Sequence, residues 1–181
     1  PLIREIALPH VVPNLAPQLT RVETKRSQNP KKLGHINVEF KAEDTNNDKL
    51  VYKIEFRKKN TSRWIKIEDE LEKNKYQWDT HTVQDGIYEL RVTADDRRSN
   101  SPRTALTDRR ISNPIIVDNT APEIDNIRID TDSQSPVIDL TLADKFSVIA
   151  PLHYTIDSST DWIATVPRDL ICDTRSESFR V

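Results

Sequence analysis

Hydrophobic and polar residues alternate along this chain in short runs, and one irregular arrangement of those runs occurs twice. The first copy places Ile36, Val38 and Phe40 at every second position before Ala42-Glu43-Asp44. It continues with Leu50, Tyr52 and Ile54, and then Trp64-Ile65. The second copy places Ile138, Leu140 and Leu142 before Ala143-Asp144, then Leu152, Tyr154 and Ile156, and then Trp162-Ile163. Alternation at period two is the mark of a strand with one wet face, because successive side chains leave a pleated backbone on opposite sides. The same order of strand, acidic turn, strand and tryptophan strand, met twice, predicts a tandem β-module.

The pattern predicts seven strands in the first module, near 18–24, 35–43, 49–58, 63–68, 75–79, 86–95 and 111–118. Turn formers separate them: Asn29-Pro30, Thr45-Asn46-Asn47-Asp48, Asn60-Thr61-Ser62, Asp85-Gly86 and Ser99-Asn100-Ser101-Pro102. Residues 66–75 are charged and helix-friendly, and a single helical turn is expected there. In the strand after Gly86, alternation turns Tyr88, Leu90 and Val92 inward and Glu89 and Arg91 outward. Asp118-Asn119-Thr120-Ala121-Pro122 reads as a short rigid hinge. Beyond it, strands are expected near 123–130, 136–143, 151–157, 161–166 and 176–181, two fewer than in the first copy. The expected organisation is therefore a tail of a preceding module or linker over 1–13, a complete module over 14–121 and a truncated one over 122–181. Without a counterpart of strand 86–95, Ile138, Leu140, Leu142, Tyr154 and Ile156 would face water, so the natural chain is expected to continue past Val181 or a second chain to cover the open face.

Composition narrows this picture. With 35% hydrophobic and 31% charged residues, the chain is more polar than an average globular domain, as thin sandwiches with one wet face per sheet are. It has no apolar run of about 18 residues to span a membrane as a helix. It begins with Pro1 and contains no methionine, so it reads as a fragment or processed product. A single cysteine, Cys172, excludes an internal disulfide and a thiolate cluster. Charge is uneven: residues 1–121 hold 22 Lys and Arg against 18 Asp and Glu, and the remainder 5 against 11. The basic runs Arg57-Lys58-Lys59 with Arg63 and Lys66, and Arg97-Arg98 with Arg109-Arg110, are interleaved with acids. They read as solvated turns rather than a nucleic-acid footprint.

A family resemblance rests on particular stretches. Val83-x-x-Gly86-x-Tyr88-x-Leu90-x-Val92-x-Ala94-Asp95 resembles the penultimate, tyrosine-bearing strand of fibronectin type III and bacterial immunoglobulin-like domains. Residues 114–122 resemble the last strand and linker of such repeats. Ala16-Pro17, Ala42-Glu43-Asp44 with Asn46-Asn47-Asp48, Tyr76-x-Trp78-Asp79-Thr80 and residues 171–177 are similar to tandem modules of large exported bacterial proteins. The resemblance implies an all-β fold of two tandem antiparallel immunoglobulin or fibronectin type III-like sandwiches, the second incomplete at its C-terminus. It also implies an extracytoplasmic location and neighbouring domains in the same polypeptide, a preceding β-propeller among them. The function it implies is that of a non-catalytic spacer or interaction module contacting glycan or protein. Its alternatives are an accessory domain of a secreted carbohydrate-active or other enzyme, and a cadherin-like calcium-dependent adhesion repeat. Arg97-Arg98 departs from the family pattern at a turn usually richer in small residues.

Candidate chemistry is sparse. Trp64 and Trp162 share a repeat position, so equal burial in core or sheet edge is expected of both, and Trp78 is the tryptophan expected to be exposed enough for a ligand. Asp44, Asp48, Asp95, Asp96, Asp118 and Asn119 are the calcium-ligand candidates, since calcium takes six to eight oxygens and loops at one end of a sandwich converge. Turn geometry explains the same residues, and on that reading calcium leaves the melting temperature unchanged. His10, His35, His81 and His153 are widely spaced, without helical metal-ligand spacing. There is no Gly-x-Ser-x-Gly elbow, and with Gly34 and Gly86 as the only glycines no phosphate-cradling loop. No catalytic residue, resident metal or cofactor is expected of this chain.

Overall fold

The computed structural model describes residues 13–131, 136–157 and 160–181 and is all-β, with several antiparallel sheets. The expected tail, residues 1–13, lies outside the described residues except for Pro13, as does His10. The chain divides into two compact units, Pro1–Val83 with Ile87–Val117, and Gln84–Gly86 with Asp118–Val181.

In the first unit, β1 (Gln18–Arg26), β2 (His35–Glu43) and β5 (Lys75–Asp79) form one sheet in the order β1-β2-β5. The second sheet runs β4 (Ile65–Leu71), β3 (Val51–Lys58), β6 (Gly86–Asp95) and β7 (Thr107–Ile111), with β8 (Ile115–Val117) also paired to β6. Both sheets send their apolar positions into one cluster. Leu19, Ile36, Val38, Phe40 and Trp78 come from the first, and Tyr52, Ile54, Tyr88, Leu90, Val92, Ala94, Ile115 and Val117 from the second. Rings cross between the sheets: Phe40 meets Tyr52 edge-on at 4.7 Å between centroids, and Trp78 lies 5.2 Å from Phe56 and 6.0 Å from Tyr88. The inward face of β6 is the one its alternation predicts, with Tyr88, Leu90, Val92 and Ala94 buried.

Three details differ from expectation. Trp78 is buried at 3% exposure, because its register opposite Ile36 places it on the inner face of β5. Residues 66–75 contain no helical turn. β4 runs to Leu71 because Ile67 and Leu71 pack against the core, and two register shifts against β3 absorb the irregularity. An isolated helix this short has no such support. The single strand expected over 111–118 is split, since Pro114 removes a ladder donor. Buried Ser112 spans the break: its amide donates to the Leu90 carbonyl at 2.8 Å, and its hydroxyl accepts from the Leu90 amide at 3.0 Å.

The second unit has a three-stranded sheet in the same order as the first and an antiparallel pair placed like β3–β4. Strands β9 (Glu123–Asp130), β10 (Val137–Ala143) and β13 (Ser176–Arg180) are ordered β9-β10-β13, as β1, β2 and β5 are. β11 (Leu152–Tyr154) pairs with β12 (Ile163–Thr165) as β3 does with β4. Even the irregularity is copied, for the register shift at Leu19/Arg21 on β1 recurs opposite Thr141/Leu142, between Ile124 and Asn126 on β9. Among the described residues nothing in this unit corresponds to β6, β7 or β8. Phe179 and Ile149 are buried, but Ile124, Ile127 and Ile129, cross-strand partners of Leu142, Leu140 and Ile138, are 60%, 54% and 60% exposed. Ile138, Leu140, Leu142 and Tyr154 are half-buried and Ile156 exposed. The two repeat-position tryptophans are unequal: Trp64 is half-buried, whereas Trp162 is 67% exposed. Equal burial fails because Trp64 rests on strands β3 and β6, and the second unit has no equivalent of β6 among its described residues.

Leu90→Ala is expected to destabilise the first unit by about 2–5 kcal/mol, the range for a fully buried leucine. Ile127→Ala is expected to change the second by about 0.5 kcal/mol or less. Urea melts of each variant, followed by tryptophan fluorescence and by amide exchange, give both numbers.

Candidate functional site

Three of the six calcium-ligand candidates converge. Asp44 and Asp48 lie in the connection from β2 to β3, and Asp96 directly after β6, so the antiparallel topology brings them to one end of the first unit. One carboxylate oxygen from each falls within 4.8 Å of the others. Asp96 is fully buried and the other two half-buried. The backbone explains part of this. Oδ1 of Asp44 accepts from the amides of Asn46 at 2.9 Å and Asp48 at 3.1 Å, an Asx turn that lets Asn47 adopt a positive φ of 57°. Asp96 Oδ1 accepts from the Leu106 amide at 2.7 Å and Oδ2 from the Asn14 side-chain amide at 2.6 Å. Asn100 donates to Asp48 Oδ2 at 2.7 Å. Two oxygens are left over: Asp44 Oδ2 and Asn14 Oδ1 are buried and accept no hydrogen bond among the described residues. Asn14 and Asn100 escape sequence reasoning, because both read there as turn and entry residues.

The remaining candidates go elsewhere. Asp95 pairs with Arg97 at 2.8 Å, Asp118 accepts from the Ser147 hydroxyl, and the Asn119 amide donates to Asp85 at 2.8 Å. Arg97 also reaches Glu70, and Arg98 reaches Glu70 and Glu72, so the departure at Arg97-Arg98 is an ion-pair network between β4 and the end of β6. Trp78 presents no surface to a ligand. His35 and His81, remote in sequence, are brought together with Asp79 by the β2–β5 register; His81 Nδ1 lies 2.8 Å from Asp79 Oδ1, and the hydrogen bond from His81 holds the Asp79 carboxyl below its ordinary range. For Cys172, burial, then the charges of Glu177, Asp169 and Asp173, push the thiol above its ordinary value, opposite to what a nucleophile needs.

The outer face of β3 and β6 holds a second built arrangement. Cross-strand pairing sets Glu55 opposite Arg91 and Arg57 opposite Glu89. Arg91 donates to Glu55 Oε2 through Nε at 2.8 Å and Nη2 at 2.6 Å, Lys53 reaches Glu55 Oε1 at 2.9 Å, and Arg57 reaches Glu89 at 2.8 Å. The Arg57 and Arg91 guanidiniums lie 4.5 and 4.4 Å from the Trp64 ring centre. Each contact of this kind contributes about 0.5–1 kcal/mol at exposed sites and more where water is excluded. Trp64 thus lies half-buried beside the edge strand β4, as a cap over a charge ladder on the outer face of its sheet.

No protein-family model and no curated protein matches this chain.

Burial pushes the Glu55 carboxyl up, but hydrogen bonds and charges from Lys53 and Arg91 outweigh it and hold the group below its ordinary value of 4.5. A depressed folded-state pKa stabilises the fold above the ordinary value, and that stabilisation is lost as pH falls through the folded value. Glu55→Gln is therefore expected to cost about 1–3 kcal/mol near neutral pH. The gap to wild type should narrow below pH about 4, as thermal melts across a pH series will show.

Proposed function

We propose that this chain is a non-catalytic spacer and interaction segment of a larger exported bacterial protein, built from tandem fibronectin type III-like modules. The observation that carries the reading is the repetition itself: sheet β1-β2-β5 with hairpin β3-β4 recurs as β9-β10-β13 with β11-β12, down to the position of the register shift. Repetition of a scaffold rather than of a constellation of reactive groups is what an array needs in order to set distance between neighbours. The fibronectin type III assignment is supported by β4, which lies beside β3; in a constant-type immunoglobulin sandwich the fourth strand joins the other sheet, beside the counterpart of β5. The reading places the chain outside the cytoplasm, beside other domains of its polypeptide, and gives it glycan or protein to contact. Trp162, solvent-exposed, is the aromatic available for a pyranose face.

The reading predicts that the chain behaves as a mechanical element. Pulled between its ends, residues 13–117 should unfold in one step, releasing roughly 35 nm at about 3.3–3.6 Å per residue. Glycan-array binding, where seen, should be abolished by Trp162→Ala and not by Trp64→Ala. Gradual extension without a step, or turnover of glycoside or ester substrates by the purified chain, would overturn the reading.

A further inference from the structure

We infer that His35, Asp79 and His81 form a zinc-class metal site at one end of the β2–β5 pair, with the two imidazoles and a carboxylate oxygen as ligands. A ring nitrogen of each histidine and an oxygen of Asp79 fall within 4.8 Å of one another. Ligands held about 2.0–2.1 Å from one zinc stand roughly 3.3–3.4 Å apart in a tetrahedron, so small side-chain rotations bring these three into range. Two imidazoles with a carboxylate suit zinc, copper or nickel, whereas calcium and magnesium take oxygens alone. Three protein ligands leave one position of the tetrahedron to water. His35 is half-buried and Asp79 and His81 are exposed, so an ion reaches them from solvent without opening the core.

The fold itself holds these side chains together. His35 and Asp79 are cross-strand partners at the ends of β2 and β5, and His81 lies in the short helical turn Thr80–Thr82 that follows β5. Gly34, at a φ of 73°, leads the chain into β2, and its carbonyl accepts from buried Thr80, from the amide at 2.9 Å and from the hydroxyl as well. The turn is thereby pinned to the start of β2. A separate bond sets the His35 ring: Nδ1 lies 3.2 Å from the Leu33 carbonyl. A carbonyl only accepts, so the proton is on Nδ1 and the lone pair on Nε2. Metal-binding histidines are oriented in this way, through the nitrogen that does not bind. The two imidazoles meet edge to face, 5.9 Å between centroids. Asp79 also has a local duty, since Oδ1 accepts from the His81 amide at 3.0 Å and caps the turn. That cap requires no histidine on either side of it. His81 Nδ1 lies 2.8 Å from the same oxygen, and this is the pair a metal would part. The ring proton would pass from Nδ1 to Nε2, and the two ligand atoms would move apart by about 0.5 Å.

This inference does not depend on the spacer reading, and its test separates a metal site from a capped turn. The full chain, stripped with EDTA and dialysed, is titrated calorimetrically with zinc chloride and with calcium chloride, and melted with and without zinc. One zinc should bind per chain, calcium at least tenfold more weakly, and zinc should raise the first-unit transition by several degrees. In side-chain nitrogen–proton NMR spectra, one equivalent of zinc should shift His35 and His81. His81→Ala and His35→Gln should each lower zinc affinity at least tenfold and abolish the rise in melting temperature. Asp79→Asn, which keeps an acceptor for the His81 amide, should also bind zinc more weakly while melting near wild type in EDTA. If His35→Gln does not fold, His81→Ala decides, because its position is exposed. Absence of zinc heat, zinc affinity unchanged in His81→Ala, or shifts confined to His10 or His153 would each overturn the inference.

Discussion

The inward face of one strand holds the first unit together. Tyr88, Leu90, Val92 and Ala94 of β6 fill the space against Ile36, Val38, Phe40 and Trp78, while the same strand carries β3 on one side and β7 and β8 on the other. With alternation fixed by the pleat, burying these four residues commits Glu89, Arg91 and Thr93 to the opposite face. There Arg91 finds Glu55, and Arg57 finds Glu89, under Trp64. The charge ladder is thus a consequence of the core register. A slip of one residue along β6 would bury the charges of Glu89 and Arg91 and expose four apolar side chains.

Among its described residues the second unit has no counterpart of that strand. It has a three-stranded sheet and an antiparallel pair in the same order, with a register shift in the corresponding strand pair, but its isoleucines on β9 remain largely exposed and, among the described residues, Trp162 has no charge ladder to cover. Two copies of one sequence pattern thus reach different degrees of burial, and the difference is in the sheet opposite. In the first unit Ile115 and Val117 of β8, which pairs with β6, belong to the buried core.

Strands and their inward faces were legible in the sequence because period-two alternation is a local property that burial only reinforces. The edges were less legible. Pro114 splits a strand that apolar content alone would make continuous. The charged segment after Trp64 becomes strand because Ile67 and Leu71 reach a core the sequence does not display. Trp78 was misjudged because its partner on the inner face, Ile36, is about 40 positions away, and only the β2–β5 register brings them together. The same holds at the loop end of the first unit. Asp44, Asp48 and Asp96 were candidates from residue type, whereas Asn14 and Asn100 became visible only when topology placed them beside those carboxylates. Asp95, adjacent in sequence to Asp96, points the other way along the strand and belongs to Arg97.

β6 closes the first unit, and the second, among its described residues, is open. Native-state hydrogen exchange on the full chain, resolved by peptide, tests it most directly. The account predicts that amides of β3 and β6 exchange only through complete unfolding of the first unit, while those of β9, β11 and β12 exchange orders of magnitude faster. Equal protection of β6 and β9, with a shared dependence on denaturant, would contradict it.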